Sequence, residues 1–194
     1  GGKVVREIDL NNPNLNIKEE VKRSFFQDQV KAAMLFPSVE YIDTALDIAK
    51  ANANLNPNAN NQDQQGLRLF GGDTLYSNQT WQEREKGVEG LTIAVPWFRE
   101  ESDAKDFSTA ASQLWRGEVN WRTATSFDAT QAFIKALVED ASREIVLDKL
   151  RKVNLFASET SGLSLKFTDQ GERESEPVLV EVLDGKFKVS SSGN

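Results

Sequence analysis

The sequence contains neither cysteine nor histidine among its 194 residues. The absence of cysteine excludes disulfides, zinc–thiolate sites and thiol nucleophiles. The absence of histidine excludes the Ser-His-Asp triad, the commonest general base and most transition-metal sites. We therefore expect a protein that is not an enzyme and that carries no metal and no cofactor.

Positive charge and long apolar runs are also scarce. Lys and Arg number 23 against 30 Asp and Glu, which gives a net charge of −7 and a pI near 4.8. This balance argues against nucleic acid as the main partner. No stretch approaches the ~20 apolar residues of a membrane span, and no signal peptide is recognisable. Because the chain opens at Gly1 and its one methionine is Met34, we interpret it as a fragment.

Short apolar runs alternate with amphipathic segments over the first hundred residues. The sequence predicts strands at 3–10, 32–36, 67–70 and 90–95, of which 32–36 has the almost wholly apolar composition of a buried parallel strand. Helices are predicted after the caps Asn16 and Ser38, with a short polar helix around Trp81. The pattern predicts an α/β fold in which helices flank a parallel sheet.

The second half of the sequence does not continue this alternation of strands and helices. Helices are predicted over 106–114, from Ser126 or Asp128 onwards, and from Ser142 onwards. The chain then ends in a short β-hairpin, because alternating valines lead into Asp184-Gly185, a strong two-residue turn. The Asn- and Gln-rich stretch 51–65 is interpreted as a solvated loop.

Ligands of parallel sheets bind beyond the carboxyl ends of the strands. Asp73 follows Gly71-Gly72 at such an end, where its carboxylate could meet a cation. The alternative is that Asp73 caps the next helix or accepts hydrogen bonds from loop amides. Gly71-Gly72 itself lacks the pattern of a phosphate loop.

A second candidate is the stretch 121–126, which precedes the helix expected from Ser126. It combines an aromatic plane, a guanidinium group and hydroxyls, and Arg122 could hold a carboxylate through two hydrogen bonds. The alternative is a surface salt bridge beside a capping serine. Acidic pairs elsewhere read as solvated faces, and their spacing selects no catalytic pair of carboxylates.

Six segments resemble, in order, the C-terminal half of type I periplasmic binding proteins, in particular the leucine and branched-chain amino acid-binding group of ABC-transporter receptors. They are GGKVVREIDL, AAMLFPSVEYIDTALDIAKA, LRLFGGDTLYS, GVEGLTIAVPWF, WRTATSFDATQAFIKAL and GLSLKFTDQGERESEPVLVEVLDGKF. The resemblance implies two α/β lobes with a ligand in the cleft between them. It implies that 1–97 belong to the C-terminal lobe, that 98–165 form a crossover and helices normally packed on the first lobe, and that 166–194 return as strands and a tail.

The resemblance also implies binding residues, and a mechanism of binding rather than catalysis. The contact that follows strand 32–36 falls on Ser38. The acidic partner of an α-ammonium group falls on Asp73, in place of a glutamate, with Thr74 and Tyr76 on the same loop. The crossover contacts fall on Trp121, Arg122 and Thr123. The residues that hold the α-carboxylate belong to the lobe that this sequence lacks.

The resemblance implies an extracytoplasmic solute-binding component of an ABC importer, at the periplasmic or extracellular face of the membrane. Its expected partners are an amino acid-like ligand, the transporter permease and the missing N-terminal lobe. The alternative is a ligand-sensing domain of a receptor or signalling protein. A third reading, an unrelated α/β enzyme, is disfavoured by the lack of histidine and cysteine.

The missing portion includes a strand that the family places between 3–10 and 32–36. We therefore expect an open sheet edge, and an exposed apolar face on the helix over 126–139. Because such surfaces recruit partners, we predict a dimer through the edge, a swapped element, or the missing half as a second chain.

Overall fold

The computed structural model describes residues 2–56, 66–82, 87–137 and 141–190. The chain divides into two compact units. The first unit comprises Gly1–Ala94 and Leu179–Asn194, and the second comprises Val95–Val178. None of the described helices has the length and apolar character needed to cross a bilayer.

The elements of the described residues are as follows. The strands are β1 (Ala32–Leu35), β2 (Arg68–Gly71), β3 (Thr92–Val95), β4 (Asn154–Leu155), β5 (Leu165–Lys166), β6 (Val178–Leu183) and β7 (Lys186–Val189). The α-helices are α1 (Ile17–Lys22), α2 (Ile42–Ala53), α3 (Asn78–Gln82), α4 (Lys105–Trp115), α5 (Trp121–Ala136) and α6 (Arg143–Arg151). A π-helical turn over Arg23–Gln27 continues α1, and a 3₁₀ turn over Val39–Tyr41 precedes α2.

The first unit contains a mainly parallel sheet of strand order β1-β2-β3-β6-β7. Strands β1, β2 and β3 are parallel, whereas β6 and β7 form an antiparallel hairpin. Asp184 and Gly185 turn the hairpin with φ values of 55° and 67°, as its two-residue turn requires. The α/β class, the parallel strands and the closing hairpin predicted from the sequence are confirmed.

Helix α2 supplies much of the apolar layer of the first unit. It buries Ile42, Ala45, Leu46 and Ala49 at helical spacing, as the sequence predicts. The helix runs to Ala53, so the predicted loop begins later than position 51. The part of that loop over 57–65 lies outside the described residues.

Segment 3–10 is not a strand, which corrects the sequence prediction. A strand needs a hydrogen-bonding neighbour, and this segment has none among the described residues. Its Arg6 instead donates to Asp28 at 2.7 and 3.0 Å and to Glu20 at 3.0 Å. The segment is thus tied to α1 and the turn that follows α1.

Strand β1 occupies one edge of the sheet rather than a buried position. Leu35 is buried, but Met34 is 68% exposed and Phe36, just after the strand, is 67% exposed. The predicted strand is therefore present, but the prediction that it is buried is wrong for one of its faces. Among the described residues, no strand pairs with the outer side of β1.

The second unit is built from α4, α5, α6 and the two-stranded sheet of β4 and β5. Helix α5 begins at Trp121, so the prediction that it opens at Ser126 or Asp128 is wrong. Asn120 is the N-cap of α5, because its side-chain oxygen accepts hydrogen bonds from the Arg122 and Thr123 amides, at 2.9 and 3.3 Å. On this helix Phe133, Ile134 and Leu137 are about half exposed, so the expected apolar face is present.

Candidate functional site

The loop after β2 carries three of the residues that the sequence analysis selected. Its 3₁₀ turn over Asp73–Leu75 is closed by the Leu75 amide, which donates to the Gly72 carbonyl at 3.1 Å. Leu75 is fully buried, and a Cβ on Gly71 would lie 2.6 Å from its Cδ1 atom. Glycine at 71 thus makes room for the leucine that anchors the loop.

Asp73 and Thr74 project from this anchored turn and are half-buried. The position before the turn belongs to Gly72, which has no capping side chain. Among the described residues, no amide or side chain hydrogen bonds to the Asp73 carboxylate, and no cation pairs with it. The alternative reading of Asp73 as a cap or a loop acceptor therefore has no support in the hydrogen bonds of the described residues. A half-buried carboxylate without a partner is suited to receive a cationic group.

Ser38 follows the strand next to Asp73's strand, since Leu35 of β1 is in register with Gly71 of β2. It precedes the 3₁₀ turn over Val39–Tyr41, but its side chain makes no cap hydrogen bond to the backbone of that turn. Its hydroxyl instead donates to Glu40 Oε2 at 2.7 Å, and this bond lowers the pKa of the exposed Glu40 carboxyl. Ser38 is exposed, and the role predicted for it in ligand binding stays a prediction.

Tyr76 ends the loop and is half-buried. Its ring packs against Phe187 of β7, with ring centroids 4.7 Å apart. This contact fixes the ring over the hairpin. Asp73, Thr74 and Tyr76 thus share one anchored loop, and Ser38 follows the adjacent strand.

Trp121, Arg122 and Thr123 belong to the second unit. They form the first turn of α5 rather than a loop before it. The Arg122 guanidinium carbon lies 4.3 Å from the centre of a Trp121 ring, a cation–π contact. The buried Trp121 Nε1 has no hydrogen-bond partner among the described residues. This turn offers an exposed guanidinium group on an aromatic support.

The second unit contains a buried polar network that was not predicted from the sequence. Asp128 lies inside α5 and accepts hydrogen bonds from Ser161 N at 2.7 Å and Ser161 Oγ at 2.9 Å. It also pairs with Arg173 at 2.8 Å, and its side chain is 2% exposed. The Trp97 indole donates to the Ser161 carbonyl at 3.0 Å. The sequence signal for this network was the position of Asp128, four residues from Ala124 and from Ala132, which places it on the same buried face of the helix as these alanines.

Comparison with solved structures identifies this architecture. The chain is similar to a branched-chain amino acid ABC transporter protein of Rhodospirillum rubrum, at 20% identity and a TM-score of 0.70. It is also similar to a leucine-binding protein of Thermotoga maritima, at 18% identity and a TM-score of 0.67. A third similar structure is an ABC-transporter solute-binding protein of R. palustris in complex with benzoate, at 15% identity and a TM-score of 0.68. The matches cover 92%, 93% and 97% of this chain.

The chain spans about half the length of these proteins, since each match covers 49% of the solved chain. No family model and no curated protein matches. At these identities the comparison shows the fold alone, which this chain shares with about half of each of these solved proteins. The resemblance drawn from the sequence is thereby confirmed at the level of the fold.

Proposed function

We propose that this chain is part of an extracytoplasmic solute-binding protein that delivers an amino acid, or a related small polar solute, to an ABC importer. The similarity in fold to solute-binding proteins supports the class. The observation that carries the choice of solute is the Asp73 carboxylate, which is half-buried and has no partner among the described residues.

Asp73 selects for a ligand with an ammonium group. A carboxylate that is partly removed from water attracts a cation more strongly than a solvated one does. It repels a ligand whose only charge is negative, such as benzoate, which the R. palustris protein binds. Thr74, on the same turn, adds a hydroxyl that can orient the ligand.

Ser38 and Tyr76 are further proposed contacts in the first unit, and Trp121, Arg122 and Thr123 are the proposed contacts carried by the second unit. Arg122 is the candidate partner for a ligand carboxylate or other anionic group, because its planar guanidinium can donate two hydrogen bonds. The other half of a two-lobed protein would contribute further contacts, and the permease would receive the solute. These partners are part of the proposal.

Calorimetric titration with the common amino acids tests the proposal, on this chain and on any longer polypeptide that contains it. We expect binding that Asp73→Asn weakens about 10- to 100-fold, because hydrogen bonds to charged groups contribute about 1.5–3 kcal/mol. Asp43→Asn is the matched control, since Asp43 is an exposed aspartate of the first unit on α2.

Two outcomes would contradict the proposal. Equal affinity of Asp73→Asn and the unmodified chain would remove Asp73 from the site. Preference for benzoate over every amino acid would exclude an ammonium-selective site, while leaving a solute-binding role for the fold.

A further inference from the structure

Thr80 of α3 is fully buried and hydrogen bonds to the loop that carries Asp73. Its hydroxyl oxygen lies 2.6 Å from the Leu75 carbonyl oxygen, and because a carbonyl oxygen can only accept, the Thr80 hydroxyl is the donor. A hydroxyl that is removed from water costs free energy unless it has such a partner. The folded chain is therefore more stable with this hydrogen bond made than with it broken.

Ser77 extends this contact into a directed chain of hydrogen bonds. The Ser77 and Thr80 hydroxyl oxygens lie 3.3 Å apart. Because the one hydroxyl proton of Thr80 is donated to Leu75, Ser77 is the donor in its contact with Thr80. The Ser77 amide also donates to the Leu75 carbonyl, at 2.9 Å. The Leu75 carbonyl thus accepts two hydrogen bonds, which matches its two lone pairs.

Leu75 is therefore held by both its side chain and its carbonyl. The side chain is fully buried in the space that Gly71 leaves, and the carbonyl is fixed by Thr80 and Ser77. Asp73 begins the 3₁₀ turn that Leu75 ends. The turn that presents the Asp73 carboxylate thus depends on a hydroxyl that lies outside the loop, on α3.

We propose that Thr80 is a positioning residue for Asp73, because its hydroxyl holds the loop in the conformation that presents the carboxylate to a ligand. A loop that is already ordered loses less conformational entropy when a ligand binds, and so binds it more tightly. This role in binding rests on the proposed function, since it requires a ligand at Asp73. The ordering of the loop does not, and it is measured on the free chain.

Hydrogen exchange of the loop amides tests the ordering. The Leu75 and Tyr76 amides donate to the Gly72 and Asp73 carbonyls, at 3.1 and 3.0 Å, so their protection reports how often the loop opens. Thr80→Val keeps the shape of the side chain but removes the donor. We expect these two amides to exchange about 10-fold faster, because an unmade buried hydrogen bond favours the open loop. The amides of α2 should keep their protection.

Thr80→Ser separates the hydroxyl from the packing of the side chain. Serine keeps the donor and loses the methyl group, whereas valine keeps the volume and loses the donor. Because the hydroxyl positions the loop, we expect Thr80→Ser to retain slow exchange of the Leu75 and Tyr76 amides. The matched control is Thr160→Val, which removes a buried hydroxyl of the second unit that donates to the Leu163 carbonyl at 2.8 Å. This control should leave the loop amides unchanged.

Calorimetric titration with the common amino acids tests the role in binding. We expect Thr80→Val to weaken the affinity about 3- to 10-fold, because the loop must then be ordered when the amino acid binds. Thr80→Ser and Thr160→Val should retain the affinity of the unmodified chain. The loss should be smaller than that of Asp73→Asn, since Thr80 acts through the loop and is itself fully buried.

Three results would overturn the inference. Unchanged exchange of the loop amides in Thr80→Val would show that the hydroxyl does not order the loop. Equally fast exchange in Thr80→Ser and Thr80→Val would assign the effect to packing, and faster exchange with unchanged affinity would remove the role in binding. Absence of binding of every amino acid to the unmodified chain would instead contradict the proposed function, and the exchange rates would still decide whether Thr80 orders the loop.

Discussion

The longest described helices of the two units bury different kinds of side chain. In the first unit, α2 buries three large aliphatic residues, Ile42, Leu46 and Ile48. The longest helix of the second unit, α5, buries three alanines and Asp128, and exposes Phe133 and Ile134.

This difference means that the two helices are stabilised by different interactions. Large aliphatic side chains contribute about 1.5–3 kcal/mol each when buried, whereas alanine has little apolar surface to bury. Helix α5 therefore depends more on its buried polar network, in which Asp128 binds both Ser161 and Arg173. We expect the first unit to be most sensitive to cavities, and the second to loss of charge partners.

The largest expected effect is that of Asp128→Ala. It leaves the Arg173 guanidinium, whose side chain is 17% exposed, without its carboxylate. Breaking a buried pair costs about 3–5 kcal/mol. Urea unfolding followed by tryptophan fluorescence measures the loss, since three of the four tryptophans, Trp97, Trp115 and Trp121, belong to the second unit.

The control for this variant is Asp148→Ala. Asp148 pairs with Lys152 at 2.7 Å, but both side chains are more than 60% exposed, so the cost should stay below about 1 kcal/mol. Hydrogen exchange should show faster exchange in α5 and unchanged protection in β1–β3. Equal losses of protection in both units would mean that they unfold together, and would contradict the expected difference between them.

Leu75→Ala is the corresponding test of the first unit. Leu75 is fully buried, and its truncation leaves a cavity that costs about 3 kcal/mol. Leu179→Ala removes the same atoms from a leucine that is 38% exposed, and we expect less than half the effect. Denaturant midpoints of the two variants measure the difference, and equal midpoints would contradict a tightly packed anchor at 75.

A smaller effect is expected from the helix caps. Asn120→Ala removes the acceptor for two amides of α5 and should cost about 1 kcal/mol, measured by thermal unfolding. Asn16→Ala removes an acceptor for one amide, Glu19 N at 3.3 Å, in the first unit, and should cost less. Asn120→Asp keeps the acceptor and should retain stability. A larger loss for Asn16→Ala would reverse the expected order of the two caps.

The smallest effect concerns acid stability. The Phe156 amide donates to the Glu159 carboxylate at 2.9 Å and lowers the pKa of Glu159 below 4.5, and Lys135 lowers it further. Because the folded-state pKa is depressed, the carboxylate stabilises the protein above its unfolded pKa. That contribution is lost as pH falls through the lowered value.

Glu159→Gln should therefore flatten the decline of unfolding free energy below about pH 4.5. Glu172→Gln, at an exposed glutamate of the same unit, is the control. The Asp184 carboxyl of the first unit, whose pKa is lowered by its hydrogen bond to Lys188, predicts the same sign for Asp184→Asn. A steeper decline in either variant would contradict these assignments.

Local signals were sufficient to predict much of the fold. Asn16 accepts from an amide of α1, and Asp184-Gly185 turns the hairpin, because each of these features depends on a few adjacent residues. Segment 3–10 has the composition of a strand but lacks a partner, and no local pattern reveals that. Asn120 and Ser126 are both residue types that cap helices, and α5 begins after Asn120, whose side chain accepts hydrogen bonds from two amides.

The candidate site was predictable only in its position. Asp73 lies at the end of a parallel strand, as the glycine pair before it indicates. That its carboxylate has no partner among the described residues depends on contacts that sequence does not display. The buried network escaped prediction for the same reason, since Asp128, Ser161 and Arg173 are far apart in sequence.

The strand order also bears on how the chain folds as it is synthesised. The Gly90 amide donates to the Val182 carbonyl at 2.9 Å, and the Val182 amide to the Leu91 carbonyl at 3.0 Å. The whole second unit must leave the ribosome before these bonds can form. Until then β3 has an unpaired side, where a chaperone or a neighbouring nascent chain can bind. A second unit that folds early shortens the effective loop and lowers the entropy cost of adding the last two strands.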